Sequence, residues 1–248
     1  MTAVKPRLAA TIERRLLINY RVDPEVALRL LPAGLRPQLV NDQAVAGVCL
    51  LRLGSLRPAW VAPAVGWGAE NAAHRIAVEW DDAHGTQVGV YIPERHSASW
   101  LPVVAGGRLL PGVHHHARFA GHETDGHIEV TMTAPGTHVH AAVDLTEDWT
   151  SDLFASVEDA SAFFRNGAVG WSPSRDGRRL EGLRLETTRW QVTPGRARAV
   201  RSSFFAALPA GTATLDSVLV MRDVPITWAV VAGPTASAGD PARRARLA

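Results

Sequence analysis

The residues best suited to chemistry in this sequence are histidines, and all ten lie between His74 and His140. Three are consecutive, at positions 114–116, and two more form a His-x-His pair that ends at His140. An unperturbed imidazole changes its charge near neutral pH, so histidine serves both as a general acid or base and as a metal ligand. The middle of the chain is therefore where a site is expected.

Alternation along residues 113–119 divides the three consecutive histidines between two faces. Successive side chains of a strand point to opposite sides, and the apolar residues of this segment occupy its odd positions. His115 therefore shares the apolar face, whereas His114 and His116 lie on the polar one. We expect His115 to point into the interior, either as part of a ligand site or as a core histidine bonded to a backbone carbonyl.

The segments that follow extend this pattern into three neighbouring strands. Turns at residues 123–126 and 134–137 separate stretches of alternating polarity. Pairing residue 116 with 133, and 133 with 138, keeps the polar residues of all three strands on one face. The sequence predicts this register.

The His-x-His pairs, His114 with His116 and His138 with His140, also fit a metal site. A strand places both members of such a pair on one face, as zinc sites in sheets require. The expected register, however, separates the two pairs by two strands, about 9 to 10 Å, on the solvent side and without a carboxylate to orient the imidazoles. We therefore predict solvated histidines and no metal, with a histidine-dependent metal enzyme as the alternative.

Glu70 is the carboxylate best placed for proton transfer. It follows a run of small residues at 66–69 and precedes an alternating strand that contains Arg75. A partly desolvated carboxylate suits a general acid or base, and a guanidinium can grip a substrate carboxylate with two hydrogen bonds. The alternative is structural, with Glu70 as a loop carboxylate paired with Arg75 or Arg108.

Five segments occur in an order that resembles acetoacetate decarboxylase. They are Asn19–Asp23, Gly66–Glu70, Gly107–Leu110, Val113–Ala117 and Val200–Phe205, within a similarity over roughly residues 14 to 230. In that family a desolvated lysine condenses with a ketone to form a Schiff base. The resemblance places Glu70 at the family's active-site glutamate, His115 at its Schiff-base lysine and His116 at the neighbouring lysine.

Schiff-base chemistry is excluded because the amine is missing. The only lysine among the 26 basic residues is Lys5, in the polar N-terminal segment. Arginine cannot replace it, since its guanidinium does not lose its proton near neutral pH. A second acidic residue of the family would fall in the apolar segment 48–50, and its arginine would fall at Glu13, next to Arg14 and Arg15.

The sequence resembles more closely a family of unknown function within the same superfamily, domain-of-unknown-function family 2071. The resemblance rests on Glu70-Asn71 with Arg75, Gly89–Tyr91, Phe163–Gly167, Glu181–Leu183, Leu215–Ser217, Met221 and Trp228. This resemblance brings no known reaction. The resemblance to acetoacetate decarboxylase implies Glu70 and His115 as catalytic residues, and the alternation selects His115 as well. The substrate-binding residues that we expect are Trp67, Asn71, Arg75 and Tyr91.

Alternation with turns along most of the chain predicts a mostly β, α+β fold. We expect an acetoacetate decarboxylase-like antiparallel β-barrel that encloses a central cavity, flanked by a few helices at residues 23–31 and 157–165. The expected organisation is a leader at 1–13, a single domain at 14–231 and a disordered tail at 232–248.

Composition narrows the class of protein further. The net charge is only +2, and the basic residues are scattered rather than clustered on one helix, which argues against nucleic-acid binding. No apolar run of about 18 residues, signal sequence or phosphate-binding glycine motif is present, so we expect a cytoplasmic protein without a membrane span or cofactor. Homo-oligomers are compatible with the sequence. Cys49, the single cysteine, lies in an apolar run and is expected to be buried and inert.

These observations favour an enzyme that uses acid–base catalysis on a small oxygenated or carboxylated molecule, with Glu70 and His115 as the pair. Isomerisation, dehydration, hydrolysis and cyclisation all fit. A non-catalytic protein that binds a small molecule in the same cavity is the main alternative.

The missing lysine generates a first prediction. Borohydride reduction in the presence of acetoacetate or acetone should leave the mass of the protein unchanged apart from any adduct on Lys5, because Lys5 is the only side-chain amine. Peptide mass spectrometry would locate an adduct. A reduced imine on any residue of the core would contradict the prediction.

Overall fold

The structure, a computed structural model, describes residues 7–62, 66–100, 112–231 and 233. The first half of this part contains β1 (Arg7–Val22), α1 (Pro24–Arg29), β2 (Arg36–Pro37), β3 (Leu39–Val40), β4 (Gln43–Pro58), β5 (Trp67–Asp82), β6 (Gly85–Tyr91), β7 (Arg95–Ser97) and β8 (His114–His116). The second half contains β9 (Arg118–Glu123), β10 (His127–Ala134), β11 (Thr137–Leu145), α2 (Val157–Asn166), β12 (Val169–Pro173), β13 (Leu180–Glu186), β14 (Thr193–Ser202), α3 (Ser203–Ala206) and β15 (Ala213–Val231).

Both predicted helices form where their capping residues are. The Asp23 carboxylate accepts hydrogen bonds from the backbone N–H of Glu25 and Val26, at 2.9 and 3.0 Å, and begins α1. Ser156 accepts from the N–H of Asp159 at 3.1 Å and begins α2, which ends at Asn166 before Gly167. Helix α1 is shorter than predicted.

The strands form a sheet that closes on itself. Strands β1, β4, β5, β6, β12, β13 and β15 are hydrogen-bonded in that order, and β15 pairs with β1 to complete the ring. The sheet also continues from β15 through β14, β11 and β10 to β9, which forms a second layer. The predicted mostly β, acetoacetate decarboxylase-like architecture is confirmed, although the β6–β12 and β7–β8 pairs are parallel.

The ring strands are buried on both faces. One face points into the ring, where Leu17, Cys49 and Met221 form a cluster with Phe164 of α2. The opposite face packs against the second layer through residues such as Leu16, Val48 and Ile76, which join Val130, Met132 and Ala141 in a separate cluster. An apolar residue on these strands therefore does not by itself identify the inside of the ring.

An irregularity in β1 decides which arginine faces which side. The pairing of β1 with β4 shifts between Ile12 and Arg14 and leaves Glu13 as an extra residue. Ile12 and Leu17 consequently share the ring side despite their odd spacing, and Arg14 lies on the same face as Leu16. Arg15 points into the ring.

The register of the histidine strands was predicted in part. Thr133 pairs with His138, as expected, but its partner on the other side is Arg118 instead of residue 116. The predicted continuous strand over 113–119 is broken at Ala117, whose N–H donates to the Ser97 carbonyl at 2.9 Å. The break occurs because β8 pairs with β7 whereas β9 pairs with β10.

Strand β1 begins at Arg7, so residues 7–13 of the expected leader belong to the sheet. The Gly107–Leu110 segment lies outside the described residues, as does the expected tail at 232–248 apart from Gly233. In the part of the chain that the structure describes, no helix is long and apolar enough to cross a membrane.

Ring closure generates a second prediction. Gly182 pairs with Trp171, and a Cβ atom on Gly182 would lie 2.3 Å from Trp171 Cζ3 and 2.4 Å from Val231 Cγ2. Gly182→Ala should therefore lower the free energy of unfolding by about 1 to 3 kcal/mol, the usual range for overpacking. Urea unfolding measures this change.

Gly126→Ala is the matched control, because no atom lies within 4 Å of the added Cβ there. Equal free energies of unfolding for the two variants would contradict the prediction, because β13 would then accommodate the added methyl group without loss of stability.

Candidate functional site

A cavity opens inside the ring between β4, β5, β7 and β8 on one side and β13 and β15 on the other. Its empty volume is about 610 Å³, which includes open solvent at the mouth of the cavity. Much of the wall is apolar and is formed by Leu51, Leu53, Leu56, Leu183 and Trp228. The polar residues in the lining are Cys49, Asn71, Arg95, His96 and His114. A concave apolar site with a few convergent polar groups is the usual form of a small-molecule site.

Cys49 lies where the cavity meets a buried cationic region. Its Sγ accepts a hydrogen bond from Arg15 Nε at 3.1 Å. The other contact of the Arg15 guanidinium runs from Nη1 to Met221 Sδ, at 3.9 Å. Cys49 itself is 6% exposed, as expected for a buried thiol, yet it forms part of the cavity wall.

Arg75 is a fully buried cation with very few acceptors. It donates to Asn19 Oδ1, and its guanidinium carbon lies 4.5 Å from the centre of the Phe164 ring. Its Nε and Nη1 have no hydrogen-bond partner within the described ranges. Burial lowers the pKa of Arg75 to about 10. Gly47 leaves room for this side chain, since a Cβ there would lie 3.2 Å from Arg75 Nη2 and 2.3 Å from the Ile18 carbonyl oxygen.

Arg95 lines the cavity itself. Its Nε donates to Ser172 Oγ at 3.0 Å, and burial lowers its pKa to about 10. In the β7–β8 pair Arg95 stands opposite His114, so the guanidinium and the imidazole project from neighbouring strands on the same face. The pair brings a fixed positive charge and a proton-transfer group to one wall.

Glu70 lies on the opposite face of β5 and belongs to an ion-pair network. Its Oε2 accepts from Arg14 Nη2 at 2.5 Å, and its Oε1 accepts from Arg52 Nε at 2.7 Å. Glu123 of β9 completes the network, at 2.6 Å from Arg14 Nη1 and 3.0 Å from Arg52 Nη2, with Arg222 at 3.6 Å. Glu70 is thus held between the two layers of the sheet instead of at the cavity.

His115 does not point into the cavity, which corrects the expected orientation. It stands opposite His96, which stands opposite Ala72, so all three share the face that carries Glu70. His115 is exposed there, with its ring centre 5.5 Å from that of His96. Alternation correctly separated His114 from His115, but the apolar face was taken for the inside, and this sheet buries apolar residues on both faces.

The structure also locates the four expected substrate-binding residues. Asn71 lines the cavity, and its Nδ2 donates to the Ala69 carbonyl at 2.8 Å. Trp67 packs in the ring-side cluster, whereas Tyr91 is buried on the other face, where burial raises its pKa. Arg75 lies on the ring side without being part of the lining. Of the two expected catalytic and four expected binding residues, the cavity wall contains Asn71.

The sequence analysis placed His114 on the solvent side, expected Cys49 to be buried and inert, and gave no site role to Arg15 or Arg95. The adjacent arginines Arg14 and Arg15, set in an apolar segment, were the available signal, because a strand must send one of them to each face. Arg95 carried no comparable signal.

The histidine pairs considered for metal binding are held by other contacts. His140 Nδ1 lies 3.1 Å from Thr131 Oγ1, and the ring of His116 stacks on Trp100. Across the residues that the structure describes, no group of three or more His, Cys, Asp or Glu side chains could hold a metal ion.

Two further histidines are buried: His74 on the face opposite to the cavity, and His96 in the cavity lining. His74 Nε2 lies 3.1 Å from Ser202 Oγ, and its ring stacks on Phe204 at 4.7 Å. Burial, and to a smaller extent the nearby His96, lower the pKa of His74 to about 4. Burial also lowers the pKa of His96. Both imidazoles are therefore neutral at physiological pH.

Comparison of the sequence with protein families gives one match over most of the chain. Residues 9–224 match the model of domain-of-unknown-function family 2071, described as an uncharacterized conserved protein. No curated protein matches the sequence.

Several solved structures share the fold. The enduracididine biosynthesis enzyme MppR, complexed with pyruvate, has a TM-score of 0.62 and 15% identity, covering 94% of this chain and 91% of that chain. Acetoacetate decarboxylase from Legionella pneumophila has a TM-score of 0.59 and 13% identity, covering 91% of this chain and 87% of that chain. An acetoacetate decarboxylase-like enzyme from Sphingomonas wittichii RW1 has a TM-score of 0.57 and 12% identity, covering 94% and 93%. At these identities the likeness shows a common fold.

The buried His74 generates a third prediction. Its pKa is lower in the folded state than the ordinary value of 6.5, so folding favours the neutral imidazole. The resulting stability is complete above about pH 6.5 and is lost as the pH falls toward 4, where the loss reaches about 3 kcal/mol at 1.36 kcal/mol per pKa unit.

Urea unfolding of wild type and His74→Gln at pH 7.5 and pH 4 measures this loss. The difference between the two pH values should be about 3 kcal/mol smaller in His74→Gln, whereas His84→Gln, at an exposed position, should match wild type. The same acid sensitivity in all three proteins would assign it to other groups.

Proposed function

The chain belongs to domain-of-unknown-function family 2071 and has the acetoacetate decarboxylase-like fold, and from this premise we propose that it is an enzyme acting on a small carboxylated molecule in the ring cavity. The chemistry proposed is acid–base catalysis without a Schiff base. His114 takes the acid–base role that the sequence suggested for His115, because His114 is the histidine of that segment in the cavity wall.

A single observation carries the proposal: Arg95 and His114 stand opposite each other in one wall of an otherwise largely apolar cavity. The guanidinium can hold a substrate carboxylate through two parallel hydrogen bonds. The imidazole can accept and return a proton near neutral pH. Asn71, in the same wall, adds an amide that can hydrogen-bond a substrate oxygen.

The ligands of one fold neighbour support a substrate of this class. MppR is complexed with pyruvate in one structure and with the condensation product of pyruvate and imidazole 4-carboxaldehyde in another. Both contain a carbonyl compound bearing a carboxylate. A small oxo acid is therefore the first substrate class to test on this chain.

The step that we propose is proton removal from the carbon next to a substrate carbonyl. The C–H bond breaks, its proton passes to the His114 imidazole, and its electron pair forms an enolate whose oxygen is stabilised by hydrogen-bond donors of the wall. Lys5 is the only lysine, so no covalent imine shares this task. Return of the proton to another atom completes an isomerisation, and loss of a leaving group completes a dehydration.

Solvent-deuterium exchange gives a direct test, and a fourth prediction. Pyruvate, 2-oxobutyrate and acetoacetate, incubated with the protein in D₂O, should lose the NMR signals of the protons on the carbon next to the ketone faster than in buffer. His114→Asn should slow the catalysed exchange by about 100-fold or more, the usual scale for an acid–base group. His115→Asn, the adjacent histidine on the other face, should stay within about threefold of wild type.

The alternatives give different results in the same experiment. Loss of exchange in Glu70→Gln or His115→Asn, with His114→Asn active, would return the chemistry to the pair expected from the sequence. Binding of these acids without exchange in any protein would favour the non-catalytic ligand-binding function. Absence of both binding and exchange would refute the proposal.

A further inference from the structure

The adjacent arginines Arg14 and Arg15, which lie on opposite faces of β1, have very different partners. Arg14 is 1% exposed and is paired with Glu70 and Glu123, so its charge is neutralised within the fold. Arg15, the next residue, points into the ring, where its hydrogen-bond contacts are the sulfur atoms of Cys49 and Met221. As a thiol and a thioether, the two sulfur atoms are weak, uncharged hydrogen-bond acceptors, so they do not neutralise the positive charge of Arg15.

Arg75 and Arg95 share this lack of a counter-ion. Arg75 donates to the neutral Asn19, and Arg95 donates to the neutral Ser172. Neither they nor Arg15 form an ion pair with any carboxylate in the described ranges. Even with pKa values lowered to about 10, Arg75 and Arg95 stay charged at neutral pH.

The three charges are concentrated around Cys49. Arg15 donates a hydrogen bond to its sulfur, Arg75 stands opposite Gly47, two residues from Cys49 in β4, and Arg95 lines the same cavity as Cys49. Arg75 and Arg15 also repel each other. A set of like charges in an interior of low dielectric is costly unless an opposite charge joins it.

We propose that the ring cavity binds a small dianion, such as a dicarboxylate, with one charge on Arg95 and the other at the end of the cavity formed by Cys49, with Arg15 and Arg75 behind it. This inference rests on the proposed function and narrows its substrate class. A monoanion would neutralise one of the three guanidiniums and leave two uncompensated. The apolar wall around Leu51 and Leu183 suits the short carbon chain between the two charged groups.

Calorimetric titration at constant ionic strength tests the charge requirement with acids of equal chain length. Malonate should bind at least about tenfold more tightly than propionate, and succinate at least about tenfold more tightly than butyrate. Inorganic phosphate near pH 8 is the third probe, because it supplies the two charges without the carbon chain. Tight binding of phosphate and weak binding of malonate would overturn the dicarboxylate form of the proposal.

Arg15→Gln should reduce malonate affinity by at least about tenfold and leave propionate affinity within about threefold, because it removes the guanidinium bonded to Cys49 and leaves Arg95 in place. Arg201→Gln is the matched control, since Arg201 is exposed on β14, away from the cavity. Retention of full malonate preference in Arg15→Gln would overturn the proposal.

The single cysteine supplies a measurement on unmodified protein, which stands even where Arg15→Gln fails to fold. The rate ratio for alkylation of Cys49 by iodoacetate relative to iodoacetamide should be at least about tenfold higher in the folded protein than in urea, and malonate should protect the thiol. A ratio no higher than in urea, or a thiol inert to both reagents, counts against an anion site at Cys49.

The results also separate this inference from the proposed function. Equal affinities for mono- and dianions, with deuterium exchange intact, would refute the dianion requirement alone. Failure of all acids to bind would refute both.

Discussion

The architecture depends on the pairing of β1 with β4 on one side and β15 on the other. β1 pairs with both neighbours along nearly its whole length, and the β1–β15 pair is the one that closes the ring. Because the second layer also continues from β15, the same strands are covered on both faces. Each residue of β1 must therefore suit one of two interiors. The extra residue at Glu13 sets which interior receives Arg14 and which receives Arg15.

The two interiors differ in how their buried arginines are paired. Between the layers, Arg14 and Arg52 pair with both Glu70 and Glu123, and Arg222 pairs with Glu123, so cations and carboxylates from five strands hold the layers in register. Removing one partner of such a network exposes the others as unpaired buried charges, which is why these networks are sensitive to mutation. Inside the ring, Arg15, Arg75 and Arg95 form no ion pair among the described residues, and Glu181 of β13, which stands opposite Ser172, pairs with Arg179 instead.

Much of the fold followed from local sequence patterns, and the site did not. Asp23 and Ser156 act as helix caps as their sequence context predicts, and the pairing of Thr133 with His138 follows from a tight turn. The orientation of His115 could not be obtained this way, because alternation fixes which residues share a face but not which face is inside. That decision depends on β7 (Arg95–Ser97), a three-residue strand that pairs in parallel with β8 and that the alternation of residues 113–119 does not reveal.

The unpaired arginines inside the ring link the stability of the protein to the charge of the ligand that it would bind. Each guanidinium buried without a counter-ion lowers the free energy of unfolding of the ligand-free protein. An anion bound beside it would raise that free energy again. The anion that stabilises the protein most is the one whose charges lie closest to the unpaired guanidiniums, so ligand selectivity and stabilisation have the same physical origin. A buried lysine avoids the cost of an unpaired charge by losing its proton, as the Schiff-base mechanism requires. Arginine stays charged and cannot avoid this cost. Arginine at positions 15, 75 and 95 therefore keeps unpaired positive charge inside the ring, and this charge is the basis of the proposed recognition of an anion.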